Sequence, residues 1–314
     1  MVNDLAMSFN LLVILGPTAS GKTRVAVQVA CALKGEIISA DSRQVYRGMD
    51  IGTGKDLEEY GSVPYHLIDI VDPGYEFNVF EFQRRFDQAF RAIQARDHIP
   101  LLVGGTGMYL DSVLRGYPLM EVPENLLLRR ELVSLANEDL AARLQQVNPK
   151  LHNTTDLLDR HRLIRALEIA EFQKEVQKIP ALPKLSPLVF GIKWTREVLH
   201  RRIIQRLQVR LRQGLIEEVE RLHQNGIPWE TLEFYGLEYR FVAQFLKGAL
   251  NKNDMFQKLN SAIRQLAKRQ ETWFRRMERQ GILIRWVDGK KDPEVSILKQ
   301  AKEFKFAGGK GLFP

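Results

Sequence analysis

Residues Gly16 to Thr23 read Gly-Pro-Thr-Ala-Ser-Gly-Lys-Thr and fit G-x-x-x-x-G-K-[ST]. The motif follows an apolar run, Leu11–Leu15, and opens an amphipathic stretch, Lys22–Leu33, so it sits between a buried strand and a helix. That context constrains the fold more than any other feature of the chain. A loop of this kind needs a parallel sheet, because the carboxyl ends of such strands form the ligand crevice. Its chemistry is equally specific. The backbone N–H groups of Gly16, Pro17's neighbours Thr18 and Ala19, Ser20 and Gly21 can curl around phosphate oxygens at a helix N-terminus. Lys22 adds a point charge, and the Thr23 hydroxyl suits a Mg²⁺ that also holds the phosphates. The ligand is therefore a diphosphate or triphosphate.

The rest of the first ~115 residues alternates strand and helix patterns, which implies βαβ units and a sheet covered on both faces. Strands are expected at Glu36–Ser39, His66–Val71 and Ile99–Val103, and helices at Val79–Gln94 and Met108–Leu114. From Glu121 to about Lys178 no strand-like run occurs, and helix formers are punctuated by Pro123, Pro149 and Pro180. We expect a helical insertion over 119–183 within an α/β core formed by 1–118 and 184–314, in line with ~150 residues per domain for a 314-residue chain. Beyond it the pattern predicts a strand at Leu188–Ile192, one long helix over Glu197–Gln224, a second over Asp254–Gln280 and a strand at Ile282–Val287. The last residues, Phe306 to Pro314, are expected to fray.

The loop alone does not define a reaction. No Asn-Lys-x-Asp run for reading guanine is present, and Leu102-Val103-Gly104-Gly105 carries no Asp at the strand tip where a motor ATPase would hold Mg²⁺. A small-substrate transferase is the expectation. Asp41 follows the second strand and is open to two readings. It can act near the phosphate loop as a general base, or it can cap a helix with Gln44 completing a capping box. Gln44 also carries an amide able to read a base edge.

Charge adds a second theme. Lys and Arg total 46 against 38 Asp and Glu, a net charge of +8, which favours polyanionic partners. Arg202, Arg206 and Arg210 recur every fourth residue and stack on one helix face. Arg264, Lys268, Arg275 and Arg279 form another stripe, with Arg269 and Arg276 beside it and Trp273 and Phe274 interleaved. Such stripes suit an RNA backbone and stacked bases, or else a solvated face over buried aromatics. His152 and His161 lack metal-ligand spacing.

Five segments in order resemble the tRNA dimethylallyltransferase (tRNA isopentenyltransferase) family. They are Gly16–Thr23, Asp41–Thr53, Gly104–Tyr109, Arg162–Glu168 and Lys268–Arg275, and the likeness runs from about residue 10 to residue 288. The resemblance implies transfer of a dimethylallyl group from dimethylallyl diphosphate to N6 of the adenine at tRNA nucleotide 37. It implies a P-loop core that holds the diphosphate with Mg²⁺ through Thr23, Asp41 as the general base and Thr106 against the flipped adenosine. It further implies that Arg206 reaches the diphosphate from the side opposite the loop, with Arg202 the weaker candidate. Contacts to the tRNA anticodon stem-loop are expected from Asp41, Ser42, Arg43, Gln44 and Thr106, from His161, Arg162 and Arg165 in the insertion, and from Tyr239 and Arg240. Lys268, Arg269, Gln270, Thr272, Trp273 and Arg275 complete that expected surface. Two places depart from the family pattern. Glu238 stands where Gly is usual, and Asp159-Arg160-His161 replaces Asn or Pro-Gln before the insertion motif.

Three other functions share some of these features: a small-molecule kinase with an arginine lid from Arg160, Arg162 and Arg165, a prenyltransferase for free adenine nucleotides, and a nucleotide-gated RNA-binding module. The single cysteine, Cys31, excludes an intramolecular disulfide and a cysteine-based metal cluster. The apolar run Phe9–Leu15 is far shorter than the ~20 residues of a membrane helix, and a cytoplasmic, monomeric enzyme without membrane contact is expected.

Overall fold

The computed structural model describes residues 8–147, 159–175 and 182–307. The chain divides into two compact units, Met1–Tyr117 with Leu182–Pro314, and Pro118–Ala181. In the first unit, the chain runs through β1 (Ser8–Phe9), β2 (Leu11–Leu15), α1 (Lys22–Leu33), β3 (Gly35–Ala40), β4 (Tyr65–His66), α2 (Val79–Gln94), β5 (Ile99–Gly104) and α3 (Gly107–Leu114). The second unit holds α4 (Leu126–Val133), α5 (Asn137–Val147) and α6 (Arg160–Glu175). The first unit resumes with β6 (Pro187–Lys193), α7 (Arg196–Arg212), α8 (Leu215–Gln224), α9 (Trp229–Phe234), α10 (Leu237–Leu246), α11 (Lys252–Arg279), β7 (Ile284–Asp288), α12 (Pro293–Ala301) and β8 (Lys305–Phe306).

Six strands form one wholly parallel sheet in the order β4-β3-β5-β2-β6-β7. The register follows from side-chain alternation. Leu12 and Ile14 of β2 face one core with α1 and α12, where Val25, Val29, Leu33 and Ile297 are buried. Leu11, Val13 and Leu15 face the other core with α2, α3 and α11, where Phe82, Phe86, Phe90, Leu110 and Phe274 are buried. A strand buried on both faces needs a continuous apolar sequence, as these strands have. The α2 phenylalanines recur at helical spacing, and the Asn78 side chain caps the helix by accepting the Glu81 N–H at 3.0 Å. In the second unit, Leu132, Leu140, Leu144, Leu163 and Leu167 form a separate core.

Several sequence expectations need correction. Of the expected strand His66–Val71 only His66 pairs with β3, in the two-residue strand Tyr65–His66, because Leu67 and Asp69 adopt left-handed backbone conformations and end it. The expected single helix over Glu197–Gln224 breaks at Gly214, whose φ of 102° no helix accommodates. Helices α9, α10 and α12 come in addition to the expected elements. The strand expected at Ile282–Val287 is β7, which starts two residues later, at Ile284, and ends at Asp288. Phe306 is not frayed: β8 pairs in parallel with β1, and the Phe306 and Phe9 rings meet edge-on at 5.7 Å. Residues 308–314 of that expectation, and His152, lie outside the described residues. Among the described residues no helix is long and apolar enough to cross a membrane.

Candidate active site

The carboxyl ends of β2 and β3 lead into one cavity of about 370 Å³. Its wall includes Thr18, Ala19, Gly21, Lys22 and Thr23 from the phosphate loop, Asp41 and Gln44 after β3, and Arg202, Arg206 and Arg210 from α7. The loop turns left-handed at Ala19 and Gly21 and delivers Lys22 and Thr23 at the start of α1. Three side chains from later in the chain hold it there. Arg202 Nε donates to Ala19 O at 2.8 Å, Trp194 Nε1 donates to Ser20 O at 2.9 Å, and the Arg202 guanidinium lies 4.4 Å above the Trp194 ring. Gln270 of α11 accepts the Thr18 N–H at 2.8 Å and donates to Gly105 O at 2.9 Å, joining the tips of β2 and β5.

Asp41 is not a helix cap, since no helix follows it. Its carboxylate accepts the Arg43 N–H at 2.9 Å within a turn. Gln44 does not complete a capping box either. Its amide oxygen accepts from the Ser39 hydroxyl at 2.9 Å and its amide nitrogen donates to Gly54 O at 3.1 Å, so the buried side chain braces the cavity wall. Thr106 sits beside this turn: its hydroxyl accepts the Ser42 N–H at 3.1 Å. Gly104 is required at the β5 tip, because any Cβ there would meet the Ala40 backbone of β3.

The opposite wall is the segment Gly52-Thr53-Gly54. Glu218, fully buried on α8, accepts the N–H groups of Asp50, Ile51 and Gly52 at 2.8–3.0 Å and the Tyr239 hydroxyl at 2.7 Å. The segment in turn offers its carbonyls to arginines. Arg206 donates to Gly54 O at 3.3 Å and to Asp56 at 2.9 Å, while Arg210 donates to Gly52 O at 3.4 Å and to Glu238 at 3.1 Å. Gly54 has a φ of 63°, and a side chain there would collide with both guanidinium groups.

This arrangement concentrates positive charge. Desolvation lowers the Lys22 ammonium to about 8; Asp41 opposes that shift, and Arg206 and Arg210 reinforce it. Burial and then Arg206 lower Arg210 to about 10, and burial likewise lowers Arg202. A cavity with cations held below their ordinary pKa is prepared for an anion.

The α7 arginines therefore face a cavity rather than an open RNA surface. Of the other stripe, Phe274 is fully buried core and Trp273 packs over Gly107 with Arg276 5.4 Å from its ring, whereas Lys268, Arg269, Thr272 and Arg275 are exposed. Tyr239 is buried and engaged by Glu218, so it supports the Asp50–Gly52 segment and presents no surface to RNA. Arg240 is exposed on the same helix. Arg43 lines the cavity and its guanidinium lies 5.4 Å from the exposed Phe234 ring.

In the second unit, Arg165 donates to Glu168 at 2.9 Å and to Val122 O at 2.6 Å, and Arg160 donates to Leu132 O, Val133 O, Leu135 O and Asn137. Both are tied down inside the unit, which argues against an arginine lid built from them. His161 and Arg162 are exposed. Nothing in the sequence singles out Glu218, Gly54 or Trp194, and Gly52 stands out only as part of Asp41–Thr53, the segment that carries the resemblance.

The family model described as IPP transferase matches residues 44–277, and that described as isopentenyl transferase matches residues 9–61. The chain is 68% identical over 292 residues to tRNA dimethylallyltransferase 1 of Geotalea daltonii, covering 93% of this chain and 95% of the relative. It is 63% identical to tRNA dimethylallyltransferase 2 of Syntrophotalea carbinolica, covering 93% and 99%. The crystal structure of tRNA isopentenylpyrophosphate transferase from Bacillus halodurans superposes with a TM-score of 0.68 at 34% identity, covering 94% of this chain and 97% of that one. With the family model spanning most of its length and these relatives matching it end to end, the chain belongs to the tRNA dimethylallyltransferase (IPP transferase) family of enzymes.

Proposed function

We propose that the enzyme transfers the dimethylallyl group of dimethylallyl diphosphate to N6 of adenosine 37, beside the anticodon of tRNA, and forms N6-(dimethylallyl)adenosine. The observation that carries this reading is that Asp41 and the phosphate loop open into one cavity. In the reaction the N6 lone pair attacks the allylic carbon and a C–N bond forms. The C–O bond to the diphosphate breaks and its electron pair leaves with the diphosphate. The N6 amine is barely basic, so its proton passes to the Asp41 carboxylate as the bond forms. The backbone of Gly16–Gly21, Lys22 and Arg206 hold the leaving group, and the cavity keeps water away from the developing cation. Thr106, one strand tip from Asp41, orients the extruded adenine, whose unstacking costs a few kcal/mol.

The residues present fit Mg²⁺. Thr23 supplies a hard hydroxyl oxygen to the cavity, and Mg²⁺ takes one or two protein oxygens together with water and substrate phosphates. When bound, the ion would neutralise part of the diphosphate charge. Exposed Arg240, Lys268, Arg269, Thr272 and Arg275 are the groups we assign to the anticodon stem-loop backbone, with His161 and Arg162 from the second unit. We take a monomer as the working unit.

The test is direct. The enzyme is incubated with labelled dimethylallyl diphosphate, labelled ATP, unmodified tRNA and free AMP. Label from the prenyl donor should appear in tRNA at position 37. Label in AMP, or phosphate transfer from ATP, would overturn the proposal.

A further inference from the structure

Arg210 is a buried cation of the cavity wall with one donor unsatisfied. It is 7% exposed, and its Nε–H is buried with no partner among the described residues. Its other bonds are a long one to Gly52 O at 3.4 Å and one to Glu238 at 3.1 Å. Its cationic neighbours oppose its charge. Arg206 lies one turn earlier on α7, both guanidinium groups crowd the space over Gly54, and both depress Lys22.

The half-buried arginines around the buried carboxylate of Glu168 look different. Glu168 in the second unit accepts from Arg129 at 2.7 and 3.0 Å and from Arg165 at 2.9 Å, and neither of those arginines keeps a buried unpartnered N–H. Arg210 lines the cavity beside two further cations, Lys22 and Arg206, where an arriving anion would complete the guanidinium's bonding. Both cavity arginines carry a carboxylate meanwhile: Asp56 on Arg206, with its side chain 44% exposed, and Glu238 on Arg210, with its side chain 16% exposed.

We propose that Arg210 is a third cation for the diphosphate of the prenyl donor, beside Lys22 and Arg206, and that Glu238 is the counter-ion from which the incoming phosphate oxygens take it over. This inference rests on the donor assignment made above. It predicts that Glu238 competes with the diphosphate, so that neutralising Glu238 strengthens binding while removing Arg210 weakens it.

The experiment is calorimetric titration with inorganic pyrophosphate and Mg²⁺, using the full chain. Glu238→Gln should bind pyrophosphate more tightly than wild type. Arg210→Met combined with Glu238→Gln, which leaves no uncompensated buried carboxylate, should bind about tenfold to a hundredfold more weakly, as expected for a lost charge-assisted hydrogen bond. Lys22→Ala serves as the reference. If Lys22→Ala weakens pyrophosphate binding and neither Arg210→Met/Glu238→Gln nor Glu238→Gln changes it, Arg210 is a structural ion pair and this inference fails alone. If wild type does not bind pyrophosphate, or Lys22→Ala binds it unchanged, the donor assignment fails with it. Should the double variant not fold, Glu238→Gln decides: unchanged or weaker binding overturns the inference.

Discussion

Strand β3 carries a charged cluster at each end, and the two are built on opposite principles. At its start Glu36 is 2% exposed, and its carboxylate accepts from Arg96 at 2.9 and 2.7 Å and from His66 and His98, each at 2.7 Å. Burial alone would raise this carboxyl, but the bonds from Arg96, His66 and His98 bring it down to about 2. Every contact there stabilises the charge that is present. Past the other end, beyond Ala40, the cations Lys22 and Arg210 are pushed away from their charged forms, and Arg210 keeps an open donor. Burial is common to both clusters. What separates a structural charge from a functional one here is whether the folded chain already supplies its partners. Lys55 makes the same point from beside the site: fully buried, it donates to Tyr46 O at 2.7 Å, to Asp50 at 2.6 Å and to Asp69, and it belongs with the structural group.

The sharpest way to break this contrast is Asp41→Asn. Asparagine keeps the shape and still accepts the Arg43 N–H, so melting temperature and tRNA binding should stay close to wild type. It cannot take a proton from the adenine amine. Single-turnover prenyl transfer should fall at least about a hundredfold, roughly 3 kcal/mol of barrier. A rate within a few-fold of wild type would move Asp41 into the structural group and require another base.

Lys22 comes next. Its ordinary value of 10.5 is lowered to about 8, so between these limits the unfolded chain holds a proton that the folded chain has released. Stability relative to Lys22→Met should therefore rise with pH across that window, because the burden of a buried ammonium is lifted. Anion binding acts in the reverse sense and favours the protonated lysine. Pyrophosphate binding near pH 8.5 should take up a proton in wild type and not in Lys22→Met, measured by calorimetry in buffers of different ionisation enthalpy. Affinity itself should drop by about tenfold or more in Lys22→Met. Equal proton uptake in both proteins would show that Lys22 is not the group that answers the anion.

Glu36→Gln tests the other end. It should lower the melting temperature by several degrees and leave single-turnover transfer unchanged, since the change weakens hydrogen bonds worth roughly 1–3 kcal/mol. The pH dependence has a definite sign. A carboxyl depressed from 4.5 to about 2 contributes its full stability above 4.5 and loses it as the pH falls toward 2, so the gap between wild type and Glu36→Gln should close over that range. A gap that widens in acid, or a loss of catalytic rate at neutral pH, would dissolve the distinction between the two ends.

The sequence was informative where one local pattern decides one local structure. The phosphate loop needs only its own eight residues and flanking apolar runs, and the parallel core follows from strands that are apolar throughout. It was uninformative where distant residues decide. The strand expected at His66–Val71 fails because Leu67 and Asp69 turn left-handed, and Asp69 is held there by Lys55, fourteen residues earlier. The arginine stripe of α7 has the spacing of a surface face, and nothing local says that Gly52–Gly54 folds over it. Glu218 is invisible for the same reason: a glutamate in an amphipathic helix reads as solvated until three N–H groups, 166 to 168 residues away, are seen to converge on it.

Tyr239 carries the smallest expected effect, and it decides between a reading from sequence and one from structure. The resemblance placed it among the groups that touch tRNA. In the fold its hydroxyl donates to Glu218, its ring lies against Gly52, and it is 1% exposed. Tyr239→Phe keeps the ring and removes one hydrogen bond, and Glu218 retains its three backbone donors, so the loss is about 1 kcal/mol. The consequence should appear at the prenyl donor. Glu218 holds Asp50–Gly52, and the carbonyls of Gly52 and Gly54 orient Arg210 and Arg206. A looser segment lets both guanidinium groups drift, and the Michaelis constant for dimethylallyl diphosphate should rise by about twofold to fivefold, the size expected of that bond, while that for tRNA stays within error. A change confined to tRNA would put the tyrosine hydroxyl at the RNA after all and would remove Glu218 and Tyr239 from the support of the arginine wall.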